Sequence, residues 1–309
     1  MILVDFSQIL LSAIYADATS QECAKHPSVE SAQMLKHYVL NSLRYINKTH
    51  SKKYGKIVIC TDAQSWRTEI FPQYKWARKQ KRAKDDSGIV WEFVYQISDE
   101  IKDVIGTYLK YPLIVVPGAE GDDCIGTLTK YISTNGTKTE TEENLFESHE
   151  PEPILIVSSD RDNFQLHKYP NVKQFCPREK KLISPKESPE LCLMEKIISG
   201  DSGDGIPGIL CVDDHFVNPP PKRVVLSAKK RAIIESAILD GTIDQLPEYT
   251  NYLRNQRLIS YEFTPPQIQD QIILLYNTHK DQAPNKMGMM NYLISQKMKV
   301  LVGQLTDFF

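Results

Sequence analysis

ILIVSSDRD, at residues 154–162, sets four consecutive apolar residues directly before Asp160 and Asp162. An apolar run without alternation reads as a strand buried on both faces. Acids directly after such a strand stand at its carboxyl end, where open parallel sheets bind their ligands. Three other stretches have the same form: ILVD ends at Asp5, KIVICTD ends at Asp62, and LIVVPGAEGDD runs into Glu120, Asp122 and Asp123. Helical patterns lie between them. Leu35, Val39, Leu43 and Ile46 share one face, as do Ile97, Ile101, Val104, Ile105 and Tyr108. Strands alternating with helices predict an α/β domain with a mostly parallel central sheet and flanking helices. All four strands would then aim their acids at one rim.

The 309 residues suffice for one large domain or two modest ones, and 41% apolar with 25% charged content is ordinary for a globular protein. No apolar run approaches the roughly 20 residues that span a bilayer. The start, MILVDFSQILLSAI, lacks a basic leader and carries Asp5, so it reads as strand and helix rather than signal peptide. Cys23, Cys60, Cys124, Cys176, Cys192 and Cys211 form no C-x-x-C pair. Neither a zinc site nor a disulfide framework is suggested, and a reducing cytosol fits. A net charge of −2 is unexpected for a nucleic-acid binder, but net charge averages over patches of opposite sign. Here the charge is uneven: six of the ten residues from Lys75 to Lys84 are basic. Residues 133–153 carry six glutamates from Glu140 to Glu152 and are expected to be a mobile acidic surface loop. From about residue 186 the pattern turns helical, with a Pro219-Pro220-Pro221 break and a basic-starting helix expected over 222–241.

Asp201 and Asp204, from GDSGDGIPGI, add to the acids. So many carboxylates on one rim could not all stay ionised without cations. Oxygen-only ligands of this kind suit Mg²⁺ or Mn²⁺. Two such ions about 4 Å apart can clamp the attacking and leaving oxygens of a phosphoryl displacement. Taken singly, Asp5 or Asp62 reads better as a helix cap or turn residue. The clustered E-x-D-D and D-x-D, at matching strand ends, favour metal.

Six motifs stand in order: VDF at 4–6, TD at 61–62, FPQYKWAR at 71–78, AEGDD at 119–123, SSDRDNFQL at 158–166 and GDSGDGIPGI at 200–209. The ordered set resembles the flap endonuclease/5′-3′ exonuclease superfamily, most closely its T-even bacteriophage branch. The resemblance covers residues 1 to about 210 well and the rest more loosely. It implies a PIN-like 5′ nuclease fold with two Mg²⁺ ions, replaceable by Mn²⁺. Asp5, Asp62, Glu120, Asp122, Asp160 and Asp162 match the family's acidic positions. Asp123 matches an extra acid of the phage and bacterial branch, and Asp201 and Asp204 match the acids opening its helix–hairpin–helix element. Which acid meets which ion stays open.

The resemblance also assigns the basic segment. Tyr74, Lys75 and Arg78 match a Y-K-x-x-R pattern in which Lys75 neutralises the scissile phosphate and Arg78 supports it. Lys75 and Arg78 thereby join Asp62 and Asp160 as expected catalytic residues, with Tyr74 stacking on a base near the cut. Lys79, Lys81, Arg82 and Lys84 fall where the family has an arch, about 75–95, for a single-stranded 5′ end. The plainer reading of that charge run is a solvated helix face. Hairpin amides around Gly205 and Gly208, within about 196–210, would bind duplex backbone. The continuation LCVDDHFVNPPPKR lacks the usual second G-x-G turn, so a complete helix–hairpin–helix is not expected. Lys222, Arg223, Lys229, Lys230 and Arg231 are candidates for replacement phosphate contacts or a solvated basic face. In the tail, 302–309, Leu305, Phe308 and Phe309 form an h-x-x-F-F pattern like sliding-clamp-binding tails, with Val302 where glutamine is usual. An apolar tail folded onto its own domain is the other reading.

Rival functions are weaker. A Toprim-type nuclease could use Glu120 and Asp160/Asp162 but has no need of Asp5, Asp62 or G-D-x-x-D. A haloacid-dehalogenase-like phosphatase would want D-x-D at the first strand. A catalytically silent DNA-binding protein would not need the intact acid set. G-x-x-x-x-G-K-[ST], G-x-S-x-G and H-E-x-x-H are all absent from the chain. The expectation is therefore a monomeric Mg²⁺-dependent 5′-3′ exonuclease and flap endonuclease, acting on RNA and DNA 5′ ends. Its α/β nuclease domain would span 1–185 and a helical duplex-binding region 186–309. The resemblance suggests RNA primer removal in phage replication, in the host cytoplasm, alongside a sliding clamp or single-strand-binding protein.

Overall fold

The structure is a computed structural model that describes residues 1–135, 151–220 and 224–309, and the backbone alone of residues 79 and 81–83. Strands β1 (Ile2–Asp5), β2 (Ile57–Cys60), β3 (Leu113–Ile114), β4 (Ile154–Val157), β5 (Val172–Cys176) and β6 (Lys181–Ile183) form one sheet in the order β3-β2-β1-β4-β5-β6. All neighbouring strands are parallel except β5 and β6. Every residue of β1, β2 and β4 is buried, which explains the absence of alternation in these runs. The register pairs Asp5 with Cys60, Cys60 with Ile114, and Val4 with Val157, so the carboxyl ends of the four acid-tipped strands lie level. Strand order reverses between β1 and β4, and Asp5 and Asp160 flank that switch point. The expected α/β class is what the structure has.

Helices cover the sheet as their apolar spacing requires. In the helix Val29–Tyr54, Leu35, Val39, Leu43 and Ile46 are buried. The Ser28 side chain caps its start and Gly55, at φ 81, ends it. In Trp91–Val104, Ile97, Ile101 and Val104 are buried. Among the described residues no helix is long and apolar enough to cross a membrane.

One break between compact units falls at Ser184/Pro185, beside the expected 185/186, but two further segments are exchanged across it. One compact unit joins Met1–Gln64, Asp86–Ser184 and Pro266–Phe309; the other joins Ser65–Asp85 with Pro185–Pro265. The physical reason is core completion. Met289, Leu293, Met298, Leu301 and Phe308 belong to the apolar core that backs the sheet. Phe71 and Tyr74, beside the basic run, instead cluster with Ile197, Ile206, Leu258 and Ile259.

The C-terminal tail is folded in, which corrects the clamp-binding expectation for Leu305, Phe308 and Phe309. Phe308 is fully buried, and Leu305 and Phe309 pack against the same core. Tyr111 Oη donates to the Phe308 carbonyl at 2.5 Å, and Asp307 pairs with Arg44 and Lys48 at 2.6 and 3.0 Å. The expected loop at 133–153 begins inside the helix Gly121–Asn135, and its residues 136–150 lie outside the described ones. The helix expected over 222–241 runs from Ala228 to Leu239, capped by Ser227. Lys222 and Arg223 lie outside the described residues.

Candidate active site

In the sheet unit, the strand-end acids are built into the turns that leave the strands. Asp5 ends β1 and caps the helix Phe6–Ile14, accepting the Gln8 N–H at 3.2 Å. Asp62, two residues past β2, accepts the Gly121 N–H at 2.7 Å and the Ser7 hydroxyl at 2.6 Å, which ties the end of β2 to the starts of the helices Gly121–Asn135 and Phe6–Ile14. Asp160 accepts the Asp162 N–H at 2.9 Å and opens the short helix Arg161–Lys168. Asn163 Nδ2 lies 3.5 Å from Asp122. Single-residue capping and convergence on one rim thus coexist at Asp5 and Asp160.

Electrostatics show which acids face one another. Asp5 is 8% exposed; burial first, then the charges of Asp62 and Asp160, push its pKa up to about 7. The Cys60 thiol, buried beneath the rim, is raised by burial and then by Asp5, Asp122 and Asp62. Asp5, Asp62, Asp122 and Asp160 therefore converge at the carboxyl end of the sheet. Glu120 is buried nearby in sequence, and Asp162 is partly exposed. Asp123 is fully buried and its carboxylate accepts the Glu120 N–H at 3.0 Å; with Asp62 and Asp122 its charge also bears on the buried Cys124 thiol.

These acids suit hard divalent cations by donor type, and the cost of burying Asp5 beside like charges is one that a cation would offset. Among the described residues, however, no three acids, cysteines or histidines are gathered into a ready ligand cage. The carboxylates take N–H or O–H donors instead: Asp160 from its own turn, Asp5 from its own turn and Ser158, and Asp62 from Gly121 and Ser7 on other elements.

Several polar residues that hold the rim were not visible in the acid pattern. Ser158 is fully buried; its Oγ donates to Asp5 at 3.3 Å and accepts the Asp160 N–H at 3.1 Å. Gln8 bridges Ser158 and the Ser159 N–H at 3.0 and 2.6 Å. Gln174, buried on β5, donates to the Ser158 and Asp160 carbonyls at 2.9 and 2.7 Å. A Gln within a strand run was the one available signal, since a buried amide must be satisfied.

The second unit carries the GDSGDGIPGI turn. Gly200, at φ 75, ends the helix Pro189–Ser199, and a Cβ there would stand 2.4 Å from the Ile206 carbonyl oxygen. Asp201 and Ile206 exchange backbone hydrogen bonds at 2.7 Å in both directions. Gly205, at φ 73, abuts the Gln73 carbonyl, where a Cβ would stand at 2.9 Å. Asn255, fully buried, donates to the Ile197 and Pro207 carbonyls at 2.8 Å each. No helix follows the turn before Ala228 among the described residues, in keeping with the missing second G-x-G.

The charged side chains here are paired within this unit. Asp201 bonds Lys196 at 3.0 Å; burial would raise its pKa, but the Lys196 charge and its hydrogen bonds hold it below the usual range. Asp204 meets Arg78 at 2.6 Å and accepts the Tyr74 hydroxyl at 3.0 Å. Tyr74 is only 3% exposed, so it cannot stack on a base, which corrects that expectation. The arch expectation narrows to the helix Trp76–Ala83 and the turn after it, because Trp91–Val104 packs in the sheet unit. The side chains of Lys79, Lys81 and Arg82 lie outside the described ones, and Lys84 is exposed. Lys230 pairs with Glu248 at 2.9 Å and Arg231 with Glu195, while Lys229 is exposed.

Residues 1–192 match the family described as 5′-3′ exonuclease, N-terminal resolvase-like domain, and residues 187–308 match T4 RNase H, C terminal. The chain belongs to the 5′-3′ exonuclease family. It is an enzyme of the 5′ nuclease class, and the Toprim and silent-binder readings fall away. It is 30% identical over 316 residues to ribonuclease H of Enterobacteria phage T4, covering 99% of this chain and 95% of that relative. It is 27% identical over 194 residues to flap endonuclease Xni of Shewanella halifaxensis, over 60% of this chain and 66% of that one. The fold is similar to the bacteriophage T5 flap endonuclease solved with DNA and metal ions, at a TM-score of 0.60 and 16% identity, covering 91% of this chain and 99% of that one. It is also similar to the T5 5′-exonuclease with bound zinc, at 0.54 and 17%, covering 100% and 97%. The family models change over at 187–192, close to the boundary read from sequence; one break between this 5′ nuclease's compact units lies at Ser184/Pro185, while residues 65–85 and 266–309 are assigned across it.

Proposed function

We propose that this 5′ nuclease hydrolyses RNA and DNA strands from 5′ ends and flaps on duplex substrates, leaving 5′-phosphate and 3′-hydroxyl products. The observation that carries the reading is the delivery of Asp5, Asp62, Asp122 and Asp160 to one sheet edge by parallel strands in level register. Glu120 and Asp162, from the same turns, complete the oxygen donors of the sheet unit; in the second unit, Asp201 and Asp204 are taken as metal-ligating acids on the family pattern. Two Mg²⁺ ions held there would neutralise the acids, lower the pKa of a water nucleophile and stabilise the leaving oxygen. The chain's own residues hold and orient. Ser158, Gln8 and Gln174 fix the carboxylates in place. Lys75 and Arg78 take backbone phosphates, and the amides around Gly205 and Gly208 hold the duplex. Identity to a phage ribonuclease H supports primer removal in phage DNA replication as the setting.

The test uses a 5′-labelled flap and an RNA-primed duplex, in Mg²⁺ or EDTA, with wild type and Asp160→Asn. Mg²⁺-dependent release of short 5′ products, lost in the variant while binding persists, is expected. Binding without cleavage by wild type in Mg²⁺ and Mn²⁺ would overturn the proposal.

A further inference from the structure

The first turn of the helix Phe6–Ile14 reaches more of the rim than the acid that caps it. Asp5 accepts the Gln8 N–H, and the Gln8 side chain bridges Ser158 and the Ser159 N–H. Half-buried Ser7, between Phe6 and Gln8, donates its hydroxyl to Asp62 Oδ2 at 2.6 Å, across 55 positions of sequence. The other oxygen, Asp62 Oδ1, accepts the Gly121 N–H at 2.7 Å. Asp62 is thus gripped at both oxygens, one from each of two helix starts. The second contact is close: a Cβ on Gly121 would stand 3.3 Å from Asp62 Oδ1 and 3.5 Å from the Cys60 carbonyl oxygen. Both donors are anchored. Phe6, Ile9 and Leu10 are buried in the core on one side, and Gly121, Cys124 and Ile125 are buried on the other. A free aspartate turns easily about its Cβ–Cγ bond. One donor on each oxygen fixes the carboxylate plane, and each oxygen keeps a second acceptor direction.

We propose that Ser7 is a positioning residue for the metal centre: its hydroxyl, opposed by the Gly121 N–H, locks the plane of the Asp62 carboxylate so that the remaining lone pairs face the ions. This rests on the reading of Asp62 as a metal ligand. Ser7 acts through Asp62 and touches no reacting atom. A hydroxyl suits the place, because a lysine or arginine there would compete with the cation for the same carboxylate. A neutral donor orients the ligand without adding charge. Partners that orient metal-ligating side chains are worth about 10- to 100-fold in metal affinity or activity. The two halves of the grip differ in how they can be removed. Gly121 donates through its backbone, whereas the Ser7 half is a side chain that one substitution deletes.

The measurement is Mn²⁺ binding by the full chain without nucleic acid, with free Mn²⁺ read by electron paramagnetic resonance. Ser7→Ala should weaken Mn²⁺ binding about 10- to 100-fold. Ser7→Thr, which keeps the hydroxyl, should stay near wild type. In an Asp62→Asn background, Ser7→Ala should add no further loss, since the two residues act through one contact. Wild-type Mn²⁺ affinity in folded Ser7→Ala, with Asp62→Asn weakened, overturns the positioning role and leaves Ser7 as a tie within the fold. A loss in Ser7→Thr equal to that in Ser7→Ala overturns it as well, because the donor would then not be the cause. If Ser7→Ala does not fold, Ser7→Cys, a weaker donor of similar size, takes its place in the comparison. Unchanged Mn²⁺ affinity in Asp62→Asn itself removes Asp62 as a ligand, and the proposal with it.

Discussion

Truncating Phe308 tests whether the C-terminal tail belongs to the fold or to a partner. The side chain is fully buried in the core behind the sheet. Phe→Ala at such a position removes the transfer energy of the ring and leaves a cavity, at a cost of about 3–5 kcal/mol. At roughly 2–4 °C per kcal/mol, the melting temperature should fall by roughly 6–20 °C. Tyr111→Phe gives an independent arm. It strips the Phe308 carbonyl of its buried donor and should cost about 1–3 kcal/mol without touching the tail's own sequence. The assay is thermal denaturation followed by circular dichroism, with flap cleavage measured at a temperature where every variant is folded, with and without a sliding clamp. Lower melting for both variants, with basal cleavage falling in step with the folded fraction, is expected. An unchanged melt for Phe308→Ala, combined with loss of clamp stimulation alone, would refute the burial argument and restore the tail as a docking peptide.

Three further outcomes are expected. Asp5 has its folded pKa raised from 3.8 to about 7, so its stabilising contribution is full below pH 3.8 and lost as pH rises through about 7. In EDTA at pH 8, Asp5→Asn should recover up to about 4 kcal/mol, less at pH 5, and in Mg²⁺ it should abolish cleavage; urea melts at the two pH values check this, and equal stability of both proteins at pH 8 would count against it. Gln174→Ala leaves the Ser158 and Asp160 carbonyls without their buried donor, so a loss of about 1–3 kcal/mol and reduced kcat are expected with every carboxylate intact; wild-type kinetics would show that the rim needs no such brace. Charge reversal of Lys79, Lys81 and Arg82 should weaken binding of 5′-ended single strands and flatten its salt dependence; unchanged affinity at low salt would sink the arch assignment.

Much of the sheet was legible because its chemistry is local. ILVD, KIVIC and ILIV could only be strands covered on both faces, and parallel pairing then sent Asp5, Asp62 and Asp160 to one edge. The ordered acid motifs carried the family as well. What tertiary structure alone decided are the choices that depend on partners distant in sequence. Whether Leu305, Phe308 and Phe309 dock outward or inward turns on the space beside Tyr111 and Asn47, more than 190 residues away along the chain. Whether Tyr74 stacks or is buried turns on Asp204, 130 positions later. Ser158 and Gln174 read as ordinary polar residues until the sheet closes around them and their hydrogen bonds have nowhere else to go. Periodicity and motif order report what a segment must bury; which donor meets which acceptor across the chain exists only once the segments are packed.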